Sequence, residues 1–502
     1  MSETYSNSSE ILNELKKVKN LLLEKEKAFE HLFESIHPDH QINARNLIHY
    51  LTLRTMDIKS LQNGLHAFGL SSLSISESHI MGQINAILQV LTRRIIKEDA
   101  VSTYAYARQS VNQKINGLFG PKASKKHRHI MVTMDSKWLN NNEKFEALLN
   151  AGMNIARVNC AHDEPVTWSK FIENIRLAST ATGIPCKIYM DLAGPKIRTI
   201  LKNKKAISIH KGEKILLTSK SRKKGSGLKY QLVGCSVRNL TNQLKPGERV
   251  YFDDGLIKSE VVEIIDDFAV LEILSIASEK PRLKHGKGIN FPNSTLQFPS
   301  LTKYDKECLP FISENADMVG YSFVKDKTDI QLLRETFGEM KKPPIIIKIE
   351  NVQAVYNFPS LLFECMKDEM AGVMIARGDL AIEIGFEKLS EIQEEILWIC
   401  EAAHIPVIWA TQVLENLNKT GLATRSEITD AARSSGADCV MLNKGKNIVK
   451  TVKTLQNIFG RMGNHQYKKR FVFRPLTIAT KFIDDSAVEE EESEETIVQT
   501  ES

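Results

Sequence analysis

Between His129 and Leu442 one pattern returns eight times: a short, uninterrupted apolar run, followed in most cases by a stretch with helical spacing. The runs are His129–Met134, Met153–Ala161, Lys187–Leu192, Met318–Val324, Ile345–Glu350, Val373–Arg377, Pro406–Thr411 and Cys439–Leu442. A strand with one wet face alternates apolar and polar residues. An uninterrupted run has both faces covered, as in a parallel sheet flanked by helices. Helical spacing follows in Glu143–Asn150, Thr167–Thr180, Ile330–Phe337, Leu389–Ala403 and Glu427–Ser435. Eight such units predict an α/β fold, a (β/α)₈ TIM barrel.

The alternation stops once. From 200 to 290 helical spacing disappears, and short alternating runs (Lys214–Thr218, Arg249–Phe252, Ile257–Val262, Ala269–Ile273) are separated by turns such as Lys245-Pro246-Gly247 and Asp253-Asp254-Gly255. This predicts a small β-domain inserted after strand three. It would lie over the barrel mouth, where loops at the C-terminal strand ends build active sites. The barrel is then expected in two parts, 121–199 and 291–462. Residues 1–120 form a helical region. In Ile11–Leu32, Ile11, Leu12, Leu15, Val18, Leu21, Leu22 and Leu23 recur at helical steps. Residues 463–502 end in an acidic stretch poor in large apolar groups, expected to be a disordered tail.

Composition narrows the classes. No run of ~18 apolar residues is present, so no transmembrane span is expected, and Met1–Glu10 lacks the apolar centre of a signal peptide. Seven cysteines lie singly, without CxxC spacing, which reads as reduced thiols and not a disulfide frame or zinc site. A net charge of +6 is too mild to make nucleic acid the main partner. The Lys-rich stretch 202–224 reads as a solvated face, and His40, His49 and His66 read as structural or exposed. A cytoplasmic protein without a membrane or nucleic-acid partner is expected.

The chemistry gathers where strands end. Arg157 and Asn159 close strand two and His162 follows. Lys196 and Arg198 follow strand three, Lys348 and Glu350 end strand five, Arg377, Gly378 and Asp379 end strand six, and Thr411 ends strand seven. Charges inside apolar strands are costly to bury unless paired or bound. Any one of them alone reads as a barrel salt bridge; the set, at one end of a barrel, predicts a site for a polyanion with a metal. Glu350 and Asp379 are hard oxygen donors suited to Mg²⁺ with open water positions. Lys348 alternates with Glu350, so both can face the interior, where its ammonium can neutralise developing charge. Arg157, Lys196 and Arg198 suit phosphate oxygens, and Gly378 lets backbone N–H groups approach a carboxylate.

The strings IARVN with a following His162, MDLAGPKIRT, YFDDGLI, KGINFPN, IKIEN, IARGDLAIEIG and WATQVLE occur in the order found in pyruvate kinases. From about 129 to about 462 the chain resembles that family. The resemblance implies a barrel with a β-lid inserted after strand three, and phosphoryl transfer from phosphoenolpyruvate to ADP, giving pyruvate and ATP in glycolysis. It implies Glu350 and Asp379 as Mg²⁺ ligands, with Mn²⁺ as a substitute, and a homo-oligomer. Lys348 resembles the lysine that stabilises the transferring phosphoryl group and the enolate, and Thr411 the threonine near the methylene carbon. Arg157 resembles the phosphate-holding arginine. Asn159, His162 and Arg198 match the nucleotide and monovalent-cation region, and the backbone of Gly378 and Asp379 matches the carboxylate cradle.

The chain departs from the pattern at telling positions. A serine and a threonine that help bind K⁺ in many members are Ala161 and Leu192 here, and a glutamate is Lys196. These changes resemble the potassium-independent branch, with Lys196 as the cation that replaces K⁺. Thr133-Met134-Asp135-Ser136 replaces the first-strand Thr-Ile-Gly-Pro, and Asn443-Lys444-Gly445-Lys446 replaces a Ser-Gly-Glu-Thr loop. About 40 residues follow the barrel, so the C-terminal regulatory domain of the family is expected to be lacking. Two other readings remain: Mg²⁺-assisted decarboxylation of an α-keto acid such as oxaloacetate, distinguished by its independence of nucleotide, and a non-catalytic sensor of phosphoenolpyruvate or nucleotide.

Overall fold

The structure, a computed structural model, describes residues 7–96, 100–121, 128–219, 230–277 and 282–463, with the backbone alone at 466–467 and 470–471. The expected tail, apart from Gly463 and those four backbone positions, lies outside the described residues, as do positions 220–224 of the Lys-rich stretch. Elements of at least four residues in strands and eight in helices are numbered here in chain order.

The barrel closes as expected. Its strands are β1 (His129–Thr133), β2 (Ile155–Asn159) and β3 (Lys187–Asp191) before the insert. After it come β9 (Met318–Tyr321), β10 (Ile345–Ile349), β11 (Ala371–Ala376), β12 (Val407–Ala410) and β13 (Cys439–Leu442). They close in the order β1-β13-β12-β11-β10-β9-β3-β2, every pair parallel. Several strands stop one or more residues short of the runs read from sequence. Glu350, Arg377 and Thr411 lie just past the last paired residue, because a charged or left-handed residue leaves the ladder at the mouth. Inside, an added Cβ at Gly320 would stand 1.9 Å from Tyr189 Oη and 2.5 Å from Asp191 Oδ1. Only glycine leaves room there for the group around which the site is built.

The insert holds β4 (Lys214–Thr218), β5 (Gln231–Cys235), β6 (Arg249–Phe252), β7 (Ile257–Ile265) and β8 (Phe268–Ile276). With short strands Thr199–Ile200 and Ile289–Asn290 at its edges they form one sheet, around a separate core that includes Leu217, Val250, Phe252, Val261 and Leu271. Ile197 and Leu296 bury their side chains in that core, so the lid reaches past the 200–290 range at both ends. Arg198 and Gly288 form an antiparallel bridge, joining the two connections between lid and barrel.

The N-terminal region consists of α1 (Ser8–Ala28), α2 (Gln41–Leu53), α3 (Lys59–Ala67), α4 (Ile80–Thr92) and α5 (Tyr104–Phe119). Asn7 caps α1 by accepting from the Glu10 N–H at 2.9 Å, and the stripe Ile11, Leu15, Val18, Leu22 is buried. Helices α1–α4 belong to the same hydrophobic cluster as the outer layer of the barrel. Asn46 of α2 donates to the carbonyl of Ala402, the last residue of α12 (Leu389–Ala402), at 2.8 Å. Helix α5 ends as a plug in the barrel floor, with Val111, Ile115, Leu118 and Phe119 against Met131, Ile155, Met318 and Ile346. Among the described residues no helix is long and apolar enough to cross a membrane.

Candidate functional site

Asp191, the last residue of β3, is the centre of charge at the barrel mouth. Arg157 donates to its Oδ2 through Nε at 2.9 Å and Nη2 at 2.6 Å, and to Thr133 Oγ1 through Nη1 at 2.9 Å. Lys348 Nζ lies 3.4 Å from Asp191 Oδ1 and 3.1 Å from Glu350 Oε1, and donates to Ser322 Oγ at 2.7 Å. Burial alone would raise the Asp191 carboxyl, but Lys348 and Arg157 outweigh it and hold the group below the usual carboxylate range. For Lys348 burial pulls down, while Asp191 and Glu350 pull up and win, so the ammonium stays charged. The alternation of Lys348 and Glu350 does place both on the interior face.

Glu350 Oε2 accepts from the Phe323 N–H at 2.6 Å, from a backbone turned to φ +58°. Burial raises its carboxyl above the ordinary value against the pull of Lys348, and the like charge of Asp379 raises it further. Two hard carboxylates that destabilise one another's charge are a donor set that a divalent cation relieves. No cluster of three or more His, Cys, Asp or Glu side chains with metal-binding geometry exists among the described residues. Glu350 and Asp379 are the hard oxygen donors that could hold such an ion, with substrate and water completing its shell.

Asp379 opens α11 (Arg377–Ile384). Both of its oxygens accept from Lys196 Nζ, at 2.8 and 2.9 Å. Next to it the Gly378 N–H donates to Thr411 Oγ1 at 2.9 Å. Thr411 has φ +67°, and its carbonyl accepts from Arg377 Nη2 at 2.6 Å. On the lid side, Asn290 Nδ2 donates to Glu383 Oε1 at 3.0 Å, and burial pushes that carboxyl up to about 7.

A second pocket opens on the other side of Arg157, lined by Thr133, Met134, Asn159, His162 and Lys444 among others. Asn159 Oδ1 accepts from the Ala161 N–H at 3.1 Å. Partial burial lowers the His162 imidazole below its ordinary value, and the nearby charges of Lys444 and Arg198 add to this. Arg198 itself donates to the Gly286 carbonyl at 3.1 Å, in the lid connection. The pocket is cationic and suits a polyphosphate.

The structure thus places Arg157, Lys348 and Glu350 in one network, links Lys196 to Asp379 and Gly378 to Thr411, and sets Asn159 and His162 in the adjoining pocket. Four members carry no role assigned from sequence. Asp191 lies inside the MDLAGPKIRT string, and a lone acid ending an apolar strand is a visible signal. Arg377 lies likewise inside IARGDLAIEIG, and Ser322 carries no signal in sequence. Lys444 was noted only as a departure, yet it lines the pocket.

Comparison with known proteins gives one consistent picture. Residues 114–448 match the family model described as the pyruvate kinase barrel domain. The pyruvate kinase of Hypocrea jecorina is 36% identical over 335 residues, covering 66% of this chain and 60% of that protein. That of Kluyveromyces lactis is 35% identical over 336 residues, covering 65% of each. A crystal structure of a pyruvate kinase from Cryptosporidium parvum superposes with a TM-score of 0.61 at 30% identity, covering 69% of this chain and 72% of the other. The chain spans about three fifths to two thirds of the length of the curated relatives it matches. Helices α1–α4 precede the matched region, which begins inside α5 and ends at the start of α14 (Ile448–Met462). The chain belongs to the pyruvate kinase barrel-domain family.

Proposed function

We propose that the chain is a Mg²⁺-dependent phosphotransferase that moves a phosphoryl group between phosphoenolpyruvate and ADP, with Mn²⁺ able to replace Mg²⁺ and no requirement for K⁺. One observation carries this reading: a charged Lys348, fixed between Asp191 and Glu350, stands beside a second carboxylate supplied by Asp379. Binding of an anion alone does not need this combination. Phosphoryl transfer does, because its catalysis is positioning plus neutralisation of charge spread over the phosphoryl oxygens.

Glu350 and Asp379 would hold the metal, which when bound supplies Lewis-acid neutralisation of phosphoryl and enolate oxygens. Arg157 and Lys348 orient the phosphoryl group and offset its charge. The backbone of Gly378 and Asp379 receives the substrate carboxylate, and Thr411, whose Oγ1 accepts from the Gly378 N–H, serves the proton that must reach the methylene carbon. Asn159, His162 and Arg198 face the nucleotide. The site lies on one chain, and assembly into a homo-oligomer in the cytoplasm is part of the same proposal.

A coupled assay with phosphoenolpyruvate, ADP and Mg²⁺ tests it. Pyruvate should form only when ADP is present. Nucleotide-independent release of pyruvate from oxaloacetate would favour the decarboxylase, and ligand binding without turnover would favour a sensor.

A further inference from the structure

The Lys196–Asp379 contact has a consequence for metal entry. Lys196 takes both carboxylate oxygens of Asp379, and a divalent ion needs at least one of them. The lysine lies on the connection into the lid, outside the barrel strands. It lies between Pro195 and Ile197, and Ile197 is buried in the lid core. One residue further, Arg198 bridges Gly288 of the returning connection. The lysine stem crosses that connection, since an added Cβ at Gly288 would stand 3.2 Å from Lys196 Cε. Asp379, in contrast, is fixed at the first turn of α11 on the barrel.

We propose that Lys196 is a tethered competitor for the divalent-metal position at Asp379, so that metal entry and movement of the lid connection are one linked event. The inference rests on the reading that Asp379 and Glu350 hold the metal. With the ammonium seated, Asp379 is neutralised and the lid connection is tied to α11. Entry of a dication displaces the ammonium, and the tie is lost. Lys196 and Asp379 are partly exposed, at 25% and 16% of their side chains, so the contact is screened and of modest strength. Apparent metal affinity scales with the fraction of molecules in which Asp379 is free, so a competitor that covers it in most molecules lowers that affinity about three- to tenfold.

The test is titration of the full-length, substrate-free protein with Mn²⁺, following free Mn²⁺ by electron paramagnetic resonance. Lys196→Met should bind Mn²⁺ about three- to tenfold more tightly than the unmodified protein. Lys325→Met removes a lysine that lines the same cleft without touching Asp379, and should stay within about twofold. Asp379→Asn should lose most binding. In amide hydrogen exchange, Mn²⁺ should speed exchange of residues 196–199 and 286–290 in the unmodified protein, whereas in Lys196→Met these amides should exchange fast without metal. An Asp379→Asn loss with no tightening in Lys196→Met overturns the competitor and leaves the metal site standing. Equal tightening in Lys325→Met also overturns it, because the effect is then one of net charge. Full Mn²⁺ affinity in Asp379→Asn overturns the metal site itself.

Discussion

Arg377 donates through Nη2 to the carbonyl oxygen of Thr411 at 2.6 Å, with its guanidinium carbon 4.8 Å from the centre of the Trp409 ring. Asp430 grips the other side, accepting from Nη1 at 2.6 Å and Nη2 at 3.0 Å. A buried arginine fixed on three sides holds Thr411 in a left-handed backbone conformation, at φ +67°, that a threonine adopts only under constraint. That conformation aims Oγ1 at the Gly378 N–H.

Arg377→Lys removes the fork while keeping the charge. The threonine then relaxes, and its hydroxyl leaves the position from which, on the proposed function, it would serve the methylene carbon. We expect kcat to fall about 10- to 100-fold, the range for displacement of a positioned group by an ångström. KM for phosphoenolpyruvate should change little, and Asp430→Asn should produce a milder version of the same split. Equal losses in KM and kcat would assign Arg377 to substrate binding.

The barrel was legible because a strand covered on both faces must be apolar throughout, and few folds need eight of these. The strand ends were legible because Lys348, Glu350 and Arg157 interrupt apolar runs. The partners of those residues were not. Asp430 is 53 positions from Arg377, and Asp379 is 183 from Lys196, separations that no local pattern encodes. Lys114 is only 5% exposed, because α5 is a plug and not a surface helix, and no local pattern signals that. The periodicity of α1 revealed a buried stripe without revealing what buries it.

Loss of the proposed metal ligand Asp379 should be severe and local. Asp379→Asn keeps the shape of the side chain in the first turn of α11, so thermal unfolding should stay near that of the unmodified protein while most turnover disappears. Lys348→Met should cost about 3 kcal/mol in the barrier, roughly 10²-fold in kcat, as for loss of a preorganised donor. Steady-state kinetics beside a melting curve check both. Turnover within threefold for Asp379→Asn would remove it from the metal role.

Deleting residues 1–120 should leave the barrel insoluble. The helices share one core with it, and removing α5 uncovers Met131, Ile155, Met318 and Ile346 at the floor. Exposure of several such side chains costs about 1.5–3 kcal/mol each. A soluble, active fragment would show that the barrel closes its floor without the plug.

Lys114 gives the fold a pH dependence. Its ammonium nitrogen lies 2.6 Å from His40 Nδ1, and the His40 ring contacts the Glu369 carbonyl at 3.1 Å. Burial lowers the Lys114 amine to about 7, against the pull of Asp39. Burial, together with Lys114 and His37, lowers His40 to about 3. From pH 7 to about 10 the unfolded chain binds the Lys114 proton and the folded chain does not, so stability rises with pH. Its slope approaches ~1.4 kcal/mol per pH unit from this group. His40 adds a loss of stability as pH falls from about 6.5 toward 3. Denaturant midpoints between pH 7 and 10 should rise less steeply for Lys114→Met, and an unchanged slope would show that the amine is charged in the folded protein.

The last expectation concerns potassium. A K⁺ site in the family pattern would draw on side-chain oxygens at four positions, here Asn159, Ala161, Asp191 and Leu192. Alanine and leucine offer none. Asn159 Oδ1 already accepts from the Ala161 N–H, and the Asp191 carboxylate is engaged by Arg157 and Lys348. Desolvating K⁺ for so few oxygens is unfavourable, and the charge it would supply is present on Arg157 and Lys348, and on Lys196, which stays covalently tethered at the barrel mouth when a dication displaces it from Asp379. Activity should therefore be full in buffers free of K⁺ and NH₄⁺, with added KCl acting only through ionic strength. Lys196→Glu should lose activity sharply, and K⁺ should not rescue it, because the missing oxygens stay missing. The check is a rate comparison at constant ionic strength between tetramethylammonium chloride and KCl. Strong activation of the unmodified protein by K⁺ would mean that the cation binds elsewhere and that Lys196 does not stand in for it.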